Sequence, residues 1–209
     1  ERYVSGFKQE KVLLNEKALA SYFQWCEYKF RPLFEGMNRD GAILEIGCGP
    51  GYMLQFLGHC GFKQVKGIDL SKEQVEVALQ RGYDAEIANL FEYLPGRTAS
   101  FDAIVAVDLL EHFHKEELLT LAPLFRDSLK PGGRLIIQTP NGEGLFSRQV
   151  VHGDLTHLTI LTPNSLRQLF TGAGFEKFRF FETGPVPKDL KGKLRLLLWQ
   201  GIKGMANAI

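Results

Sequence analysis

Cysteine is scarce in this chain of 209 residues, which holds only Cys26, Cys48 and Cys60. They form no C-x-x-C pair, and an odd number cannot close an even disulfide framework. That usage points to a reducing compartment, the cytoplasm. No apolar run approaches the roughly 18 residues of a membrane-spanning helix, and no secretory signal pattern is present. Charge of one sign is not in excess either: 25 Lys and Arg stand against 24 Asp and Glu, a net +1. Proteins that bind nucleic acid carry a basic face or stripe, so no nucleic-acid partner is expected. Internal repeats and low-complexity segments are also missing. The remainder, 44% hydrophobic and 23% charged, is enough for one domain with an ample core. The chain begins at Glu1 rather than Met, as a piece trimmed from a longer protein would.

Glycine, by contrast, is concentrated where it is informative. The apolar run Ala42 to Ile46 reads as a buried strand and leads into Gly47-Cys48-Gly49-Pro50-Gly51, after which Tyr52 opens a helix. A strand, a glycine turn and a helix N-terminus let a ligand lie against bare backbone. The dinucleotide fingerprint G-x-G-x-x-G requires a third glycine. Counted from Gly47 that slot holds Tyr52, and from Gly49 it holds Leu54. The spacing therefore disfavours a nicotinamide dehydrogenase. The pattern is instead acid-x-Gly-x-Gly-x-Gly, headed by Glu45. A second strand, Val65 to Asp69, ends in a carboxylate 18 residues beyond Gly51. An acid at that tip is placed to accept both hydroxyls of a ribose. Glu45, read as part of the loop, faces the other way toward a cationic amine. A ribose at one end and an amino-acid group at the other describe S-adenosylmethionine.

The chain resembles the class I S-adenosylmethionine-dependent methyltransferases from about Gly41 to Glu182. Glu45 to Gly51 is similar to the family's first motif and Gly67-Ile68-Asp69-Leu70-Ser71 to its second. Phe101 to Val107 is similar to the fourth strand, and Leu129 to Leu135 to the turn entering the fifth. The resemblance implies that Glu45, Gly47, Cys48, Gly49 and Gly51 hold the methionine end and Asp69 the ribose. It also implies that Asn89 and Leu90 meet the adenine, Asn89 standing where the family usually has Asp. Leu70 or Phe91 stacks on that ring. Val107 and Asp108, where strand four ends, complete the cofactor set. The product is then S-adenosylhomocysteine. Cys48 itself reads as a small packing residue, since no local cation lowers its pKa.

The remaining organisation follows from pattern. Val12 to Phe34 reads as one helix, with Tyr22, Trp25 and Tyr28 either in the core or walling a substrate pocket. Ser71 with Gln74 makes a capping box for a helix over Lys72 to Gln80. Strands are expected over Tyr83 to Ala88, Phe101 to Val107, Arg134 to Thr139 and Phe175 to Phe181. Helices are expected over Lys115 to Ser128 and Pro163 to Ala173. Alternating strands and helices predict an α/β fold, a doubly wound, mostly parallel Rossmann-like sheet. Its final antiparallel strand is left open, because Lys193 to Trp199 reads equally as strand or basic amphipathic helix. The division is a helical cap over 1–40, a methyltransferase core over 41–183 and a basic extension over 184–209. That extension has five Lys or Arg against one acid from Lys188 onward; the preferred reading is a helix packed on its own domain, with peripheral contact with an anionic membrane as the alternative.

Candidates for the chemistry lie beyond strands four and five. Asp108-Leu109-Leu110-Glu111-His112 is similar to the Glu-x-x-Glu-His of quinone-pathway and small-RNA O-methyltransferases, which ligates a divalent cation. The alternative is therefore a metal-assisted enzyme using Asp108, Glu111 and His112, with a further His from His152 or His157. The preferred reading is metal-free. The long connection from Pro140 to Leu161 resembles one in bacterial methyltransferases acting on sugars and small metabolites. In that group a His here lies over the active site. His157 therefore reads either as the base for an acceptor hydroxyl, oriented by Asp154 and with His112 or His152 as runner-up, or as a structural His holding the loop closed. The expected acceptor is a small molecule or sugar. A different class of function is a binding protein that holds the cofactor without transferring its methyl group.

Overall fold

The computed structural model of the chain describes residues 13–144, 147–182 and 184–206. Expectations that rest on residues 1–12, 145–146, 183 and 207–209, within the cap, core and basic extension, lie outside it. The described residues form two units. Asn38–Phe178 is one, and Leu13–Met37 with Arg179 onward is the other.

The first unit is built on β1 (Ala42–Ile46), β2 (Gln64–Asp69), β3 (Ala85–Ile87), β4 (Phe101–Val107) and β5 (Leu129–Gln138). They lie side by side in the order β3-β2-β1-β4-β5, and every ladder between them is parallel. Parallel strands need crossover connections. Helices α2 (Tyr52–His59), α3 (Lys72–Gln80) and α5 (Lys115–Ser128) supply them. A central parallel strand is covered on both faces and so reads as a continuous apolar run. Ile43, Leu44 and Ile46 of β1 and Ala103, Ile104, Val105 and Ala106 of β4 are accordingly buried. The chain winds outward in one direction from β1 and in the other from β4. The crevice at such a reversal, beyond the carboxyl ends of the strands, is where open α/β sheets bind ligands. This is the doubly wound Rossmann-like α/β fold that the alternating pattern predicts.

Several local expectations change. β5 is longer than the predicted fifth strand, and Pro131-Gly132-Gly133 sits inside it as an irregularity: register jumps from Phe101↔Leu129 to Ala103↔Arg134. Pro123 is accommodated inside α5. The capping box at α3 is half formed. Ser71 Oγ accepts from Gln74 N–H at 3.4 Å, but Ser71 N–H donates to Asp69 rather than to Gln74. Residues 175–181 are not a strand. Phe175 and Phe178 pack against the core by side chain, without a neighbouring strand to give them a ladder. The long connection contains a short helix, α6 (Arg148–Val151), and its ends are tied by Gly142 N–H donating to the Leu161 carbonyl at 2.8 Å. Helices α4 (Leu90–Tyr93) and α7 (Pro163–Gly172) complete this unit. Thr162 caps α7 by accepting from Ser165 N–H at 3.1 Å.

In the second unit the predicted helix over Val12 to Phe34 is shorter. It is α1 (Glu16–Lys29), capped by Asn15 accepting from Ala18 N–H at 2.9 Å, followed by a 3₁₀ turn over Arg31–Phe34. Pro32 enforces the break by denying an N–H to the helical ladder. The Trp25 ring lies 5.7 Å from Tyr22 and 5.0 Å from Phe30, so these aromatics pack on one another. The ambiguous basic segment is helical, within α8 (Leu190–Ala206). Asp189 accepts from Gly192 N–H at 2.6 Å at its start, and Leu, Lys and Arg are good helix formers.

Candidate functional site

The glycine turn after β1 is held open by backbone alone. Gly47, Gly49 and Gly51 have φ of 74°, 51° and 80°, a left-handed region that L-residues with a Cβ seldom adopt. At Gly51 a Cβ would also stand 2.9 Å from the Tyr83 ring. Gly49 faces open space, with nothing nearer than 3.8 Å to the position of a Cβ.

The hydrogen bonds of the turn decide what it can cradle. Gly47 N–H and Cys48 N–H donate to the Ile68 carbonyl at 2.8 and 3.1 Å, and Gly51 N–H donates to Cys48 O at 2.9 Å. Gly49 N–H donates to Asp69 Oδ2 at 2.9 Å, and Pro50 has no N–H. The turn thus spends its donors internally, whereas a pyrophosphate site needs them aimed at the ligand. Two carboxylates, Glu45 and Asp69, stand behind it. This suits a cationic amine and disfavours a dinucleotide.

Glu45 is one of those carboxylates, and it lies within β1 rather than in the loop. It is buried, and its Oε2 has no hydrogen-bond partner. Burial, reinforced by the Asp69 charge, pushes its carboxyl well above the usual range, and the Leu54 N–H at the start of α2 only partly offsets this. A buried acceptor without a donor calls for a ligand group. Asp69, at the tip of β2, is fixed through both oxygens, since Oδ1 accepts from Ser71 N–H at 2.8 Å. Cys48 fills the space left by the absent Cβ of Gly67, where such an atom would stand 2.7 Å from its sulfur. Burial drives its thiol pKa upward, followed by the charges of Glu45 and Asp69. It is a packing residue, not a nucleophile.

Arg81, at the end of α3, was not signalled by any motif. Its guanidinium donates to the Pro50 carbonyl and, at 2.7 Å, to Gln55 Oε1. It also lies 4.4 Å over the Tyr52 ring. It therefore clamps the outside of the glycine turn.

At the tip of β3, Asn89 caps α4 by accepting from Phe91 N–H at 3.0 Å. Its amide oxygen retains a second lone pair. The Leu90 side chain is in the core, so only its backbone can meet a ligand. Phe91 packs edge-on against Phe113 with centroids 5.7 Å apart. Leu70 is exposed beside Asp69, which makes it the freer of the two stacking candidates.

Beyond Val107, Asp108 has a left-handed φ of 49°. Asp tolerates this conformation better than most residues. Its N–H donates to the Gln138 carbonyl at 2.9 Å, and its Oδ1 accepts from Gln138 Nε2 at 2.8 Å. The bend carries the chain into a 3₁₀ turn over Leu110–His112. Glu111 is buried; its Oε2 accepts from the Thr139 hydroxyl at 2.9 Å, and its Oε1 has no hydrogen-bond partner. Burial raises its carboxyl, with Thr139 and His112 only partly opposing this.

The long connection returns against the same turn. Leu158 and Thr159 N–H donate to the Glu111 carbonyl at 2.8 and 3.1 Å. This brings His157 Nε2 to 4.0 Å from Glu111 Oε1 and its ring to 5.0 Å from that of His112. His112 Nδ1 faces the Thr156 carbonyl at 3.1 Å, and His157 Nδ1 faces the Val151 carbonyl at 3.3 Å. A carbonyl cannot donate, so Nδ1 carries the proton in each neutral ring and Nε2 keeps its lone pair. Asp154 lies three residues before His157, whose backbone N–H donates to its carbonyl at 3.2 Å. Its Oδ1 accepts from the Thr156 N–H and hydroxyl, which hold its carboxyl below the usual range. The carboxylate beside the His157 Nε2 is Glu111. His152 is exposed and lies outside this cluster. One donor atom each from Glu111, His112 and His157 fall within 4.8 Å of one another. Asp108, engaged with Gln138, is not among them.

A family model described as a methyltransferase domain matches residues 22–178. The tabtoxin biosynthesis enzyme of Pseudomonas amygdali pv. tabaci is 30% identical over 161 residues, 73% of this chain and 63% of that protein. A ubiquinone biosynthesis O-methyltransferase of Xanthomonas oryzae pv. oryzae is 32% identical over 105 residues, 47% of this chain and 43% of that one. The chain thus spans less than two thirds of the length of these relatives. Among solved structures, a SAM-dependent methyltransferase from Archaeoglobus fulgidus superposes with a TM-score of 0.68 at 24% identity, covering 78% of this chain and 72% of that chain.

Proposed function

This chain belongs to the class I S-adenosylmethionine-dependent methyltransferases, and from that premise we propose that it methylates a hydroxyl oxygen of a small molecule or sugar. The observation that carries the reading is His157 Nε2 set 4.0 Å from the buried Glu111 carboxylate, with the His112 ring 5.0 Å from that of His157, beyond the ends of β4 and β5. S-adenosylmethionine supplies a methyl group already activated on a sulfonium. The chain's own task is alignment and, for a hydroxyl acceptor, proton removal. Asp69 would accept from the ribose hydroxyls, Glu45 would take the amino group, and Asn89 would meet the adenine. His157 Nε2 would take the acceptor proton as the oxygen–carbon bond forms and the methyl carbon–sulfur bond breaks to leave S-adenosylhomocysteine, and Glu111 would stabilise the resulting imidazolium. His112 is the runner-up base. Three free thiols suit a reducing, cytoplasmic setting.

A second reading is favoured by the same three side chains. Glu111, His112 and His157 form a donor set fit for a divalent cation, which would orient acceptor oxygens and polarise a hydroxyl. The test is formation of S-adenosylhomocysteine with a panel of sugars, phenols and quinone precursors, with and without a chelator. Turnover of a hydroxyl acceptor that is insensitive to chelation supports the base reading. Loss of turnover, restored by a divalent metal, supports the second. Tight cofactor binding without turnover of any acceptor contradicts both.

A further inference from the structure

Helix α8 anchors one face and leaves the opposite one bare. On the anchored face Gly192 is buried, and a Cβ there would stand 2.6 Å from the Val186 carbonyl. Trp199 Nε1 donates to Glu182 Oε1 at 2.8 Å, and Lys203 donates to the other oxygen at 2.5 Å. The far arc carries Leu190, Leu194, Leu197, Leu198 and Ile202, which recur at helical spacing and are 39–84% exposed. A contiguous apolar stripe of this kind marks a docking surface.

The borders of the stripe identify its occupant. At about 100° per residue, Arg195 lies along one edge and Lys193 along the other, Lys191 falls between the directions of Leu198 and Ile202, and Lys188 stands just before the helix. All four are exposed, and none makes an ion pair among the described residues. The one acid within 188–206, Asp189, is spent on capping the helix. Lys188, Lys191 and Arg195 also line a groove of about 440 Å³ with Ser21 and Gln24.

We propose that α8 docks onto an anionic lipid surface, with its leucine stripe at the acyl-chain boundary and Lys188, Lys191, Lys193 and Arg195 on the lipid phosphates. Long basic side chains flanking an apolar face reach the headgroups while their stems cover apolar surface. At 17 residues the helix is about 25 Å long, and no helix among the described residues is long and apolar enough to cross a membrane. It therefore lies in the plane of the interface. Stripe-to-stripe pairing with a second copy fits poorly, since it brings together cations with no acid to neutralise them. A bilayer of acidic lipid supplies the counter-charge along the whole helix.

The test is co-sedimentation of the full chain with phosphatidylcholine vesicles, with or without about one third phosphatidylglycerol. Binding is expected to the anionic vesicles alone and to weaken steeply with salt, because the surface attraction is screened. Lys191→Glu with Arg195→Glu, and separately Leu194→Asp with Leu197→Asp, should each lower the partition coefficient by roughly an order of magnitude. S-adenosylhomocysteine binding should be unchanged in both variants. Equal binding to neutral vesicles overturns the proposal, as does no binding to either. A dimer whose dissociation follows the leucine substitutions also overturns it. Should a variant fail to fold, the salt dependence and lipid selectivity of the unaltered chain decide the matter.

Discussion

The backbone N–H of Gly49 donates to Asp69 Oδ2 at 2.9 Å, which makes the turn after β1 and the acid at the tip of β2 one device. Removing the carboxylate takes away the anchor of the turn and, on the proposed cofactor placement, the ribose acceptor with it. Asp69→Ala is expected to weaken S-adenosylhomocysteine binding by roughly two orders of magnitude, as losing hydrogen bonds to a charged group does. Asp69→Asn keeps one acceptor oxygen and should fall between. Isothermal titration calorimetry reads both, and equal affinity for all three proteins would remove Asp69 from the cofactor site.

Glu45 links cofactor binding to protons. Its carboxyl is raised by burial and then by Asp69, and a cationic amine beside it favours the ionised form. Binding below the raised value, where the free protein carries that proton, should therefore release it, seen as an enthalpy that depends on the buffer's own ionisation enthalpy. Glu45→Gln is expected to abolish that dependence and to lower affinity.

Two carboxyls give opposite dependences of stability on pH. With the folded-state value of Glu45 above its unfolded value, the folded protein binds the extra proton. Without cofactor its contribution grows as pH falls through the raised value, and levels off once the unfolded chain protonates too. Asp102 is held low, first by its hydrogen bond from Lys130 and then by Ala42 N–H. Its contribution is present above the ordinary carboxylate range and is lost as pH falls through the lowered value. Lys130→Ala should consequently move acid unfolding to higher pH, as followed by circular dichroism.

Arg81 acts on the turn from outside. Arg81→Ala frees the Pro50 carbonyl and Gln55, and is expected to raise the cofactor Kd by about tenfold. The effect on melting temperature should be small, because the guanidinium contacts the turn rather than the core. Unchanged affinity would show that the turn holds its shape without the clamp.

The glycine turn and Asp69 were legible in the sequence because what they require is local. Alternate left-handed residues are written as alternate glycines, and a strand tip is written as an acid after an apolar run. Arg81 was not legible, since folding alone brings it to Pro50, 31 residues away in sequence. The same holds for Glu111 beside His157. Motif spacing grouped Glu111 with Asp108, which is engaged with Gln138 instead. The observed neighbours depend on where the long connection returns. Residues 175–181 read as a strand from their phenylalanines, but a strand needs a partner edge, which local pattern does not encode. In Lys193 to Trp199 a period of two over a few residues competed with the longer i, i+4 spacing of leucines, and the cap at Asp189 agrees with the helix.

The base assignment predicts a separation of chemistry from binding. His157→Ala should lower kcat by about two to four orders of magnitude and leave the S-adenosylhomocysteine Kd unchanged. Glu111→Gln, which removes only the charge facing the imidazolium, should have a smaller effect.

The most direct measurement is the fate of a ¹³C-labelled methyl group, followed by NMR after incubation of labelled S-adenosylmethionine with the acceptor panel. The account predicts an O-methyl product formed in step with S-adenosylhomocysteine and lost in His157→Ala. A label found on nitrogen or carbon, or O-methylation that His157→Ala leaves at full rate, would contradict it.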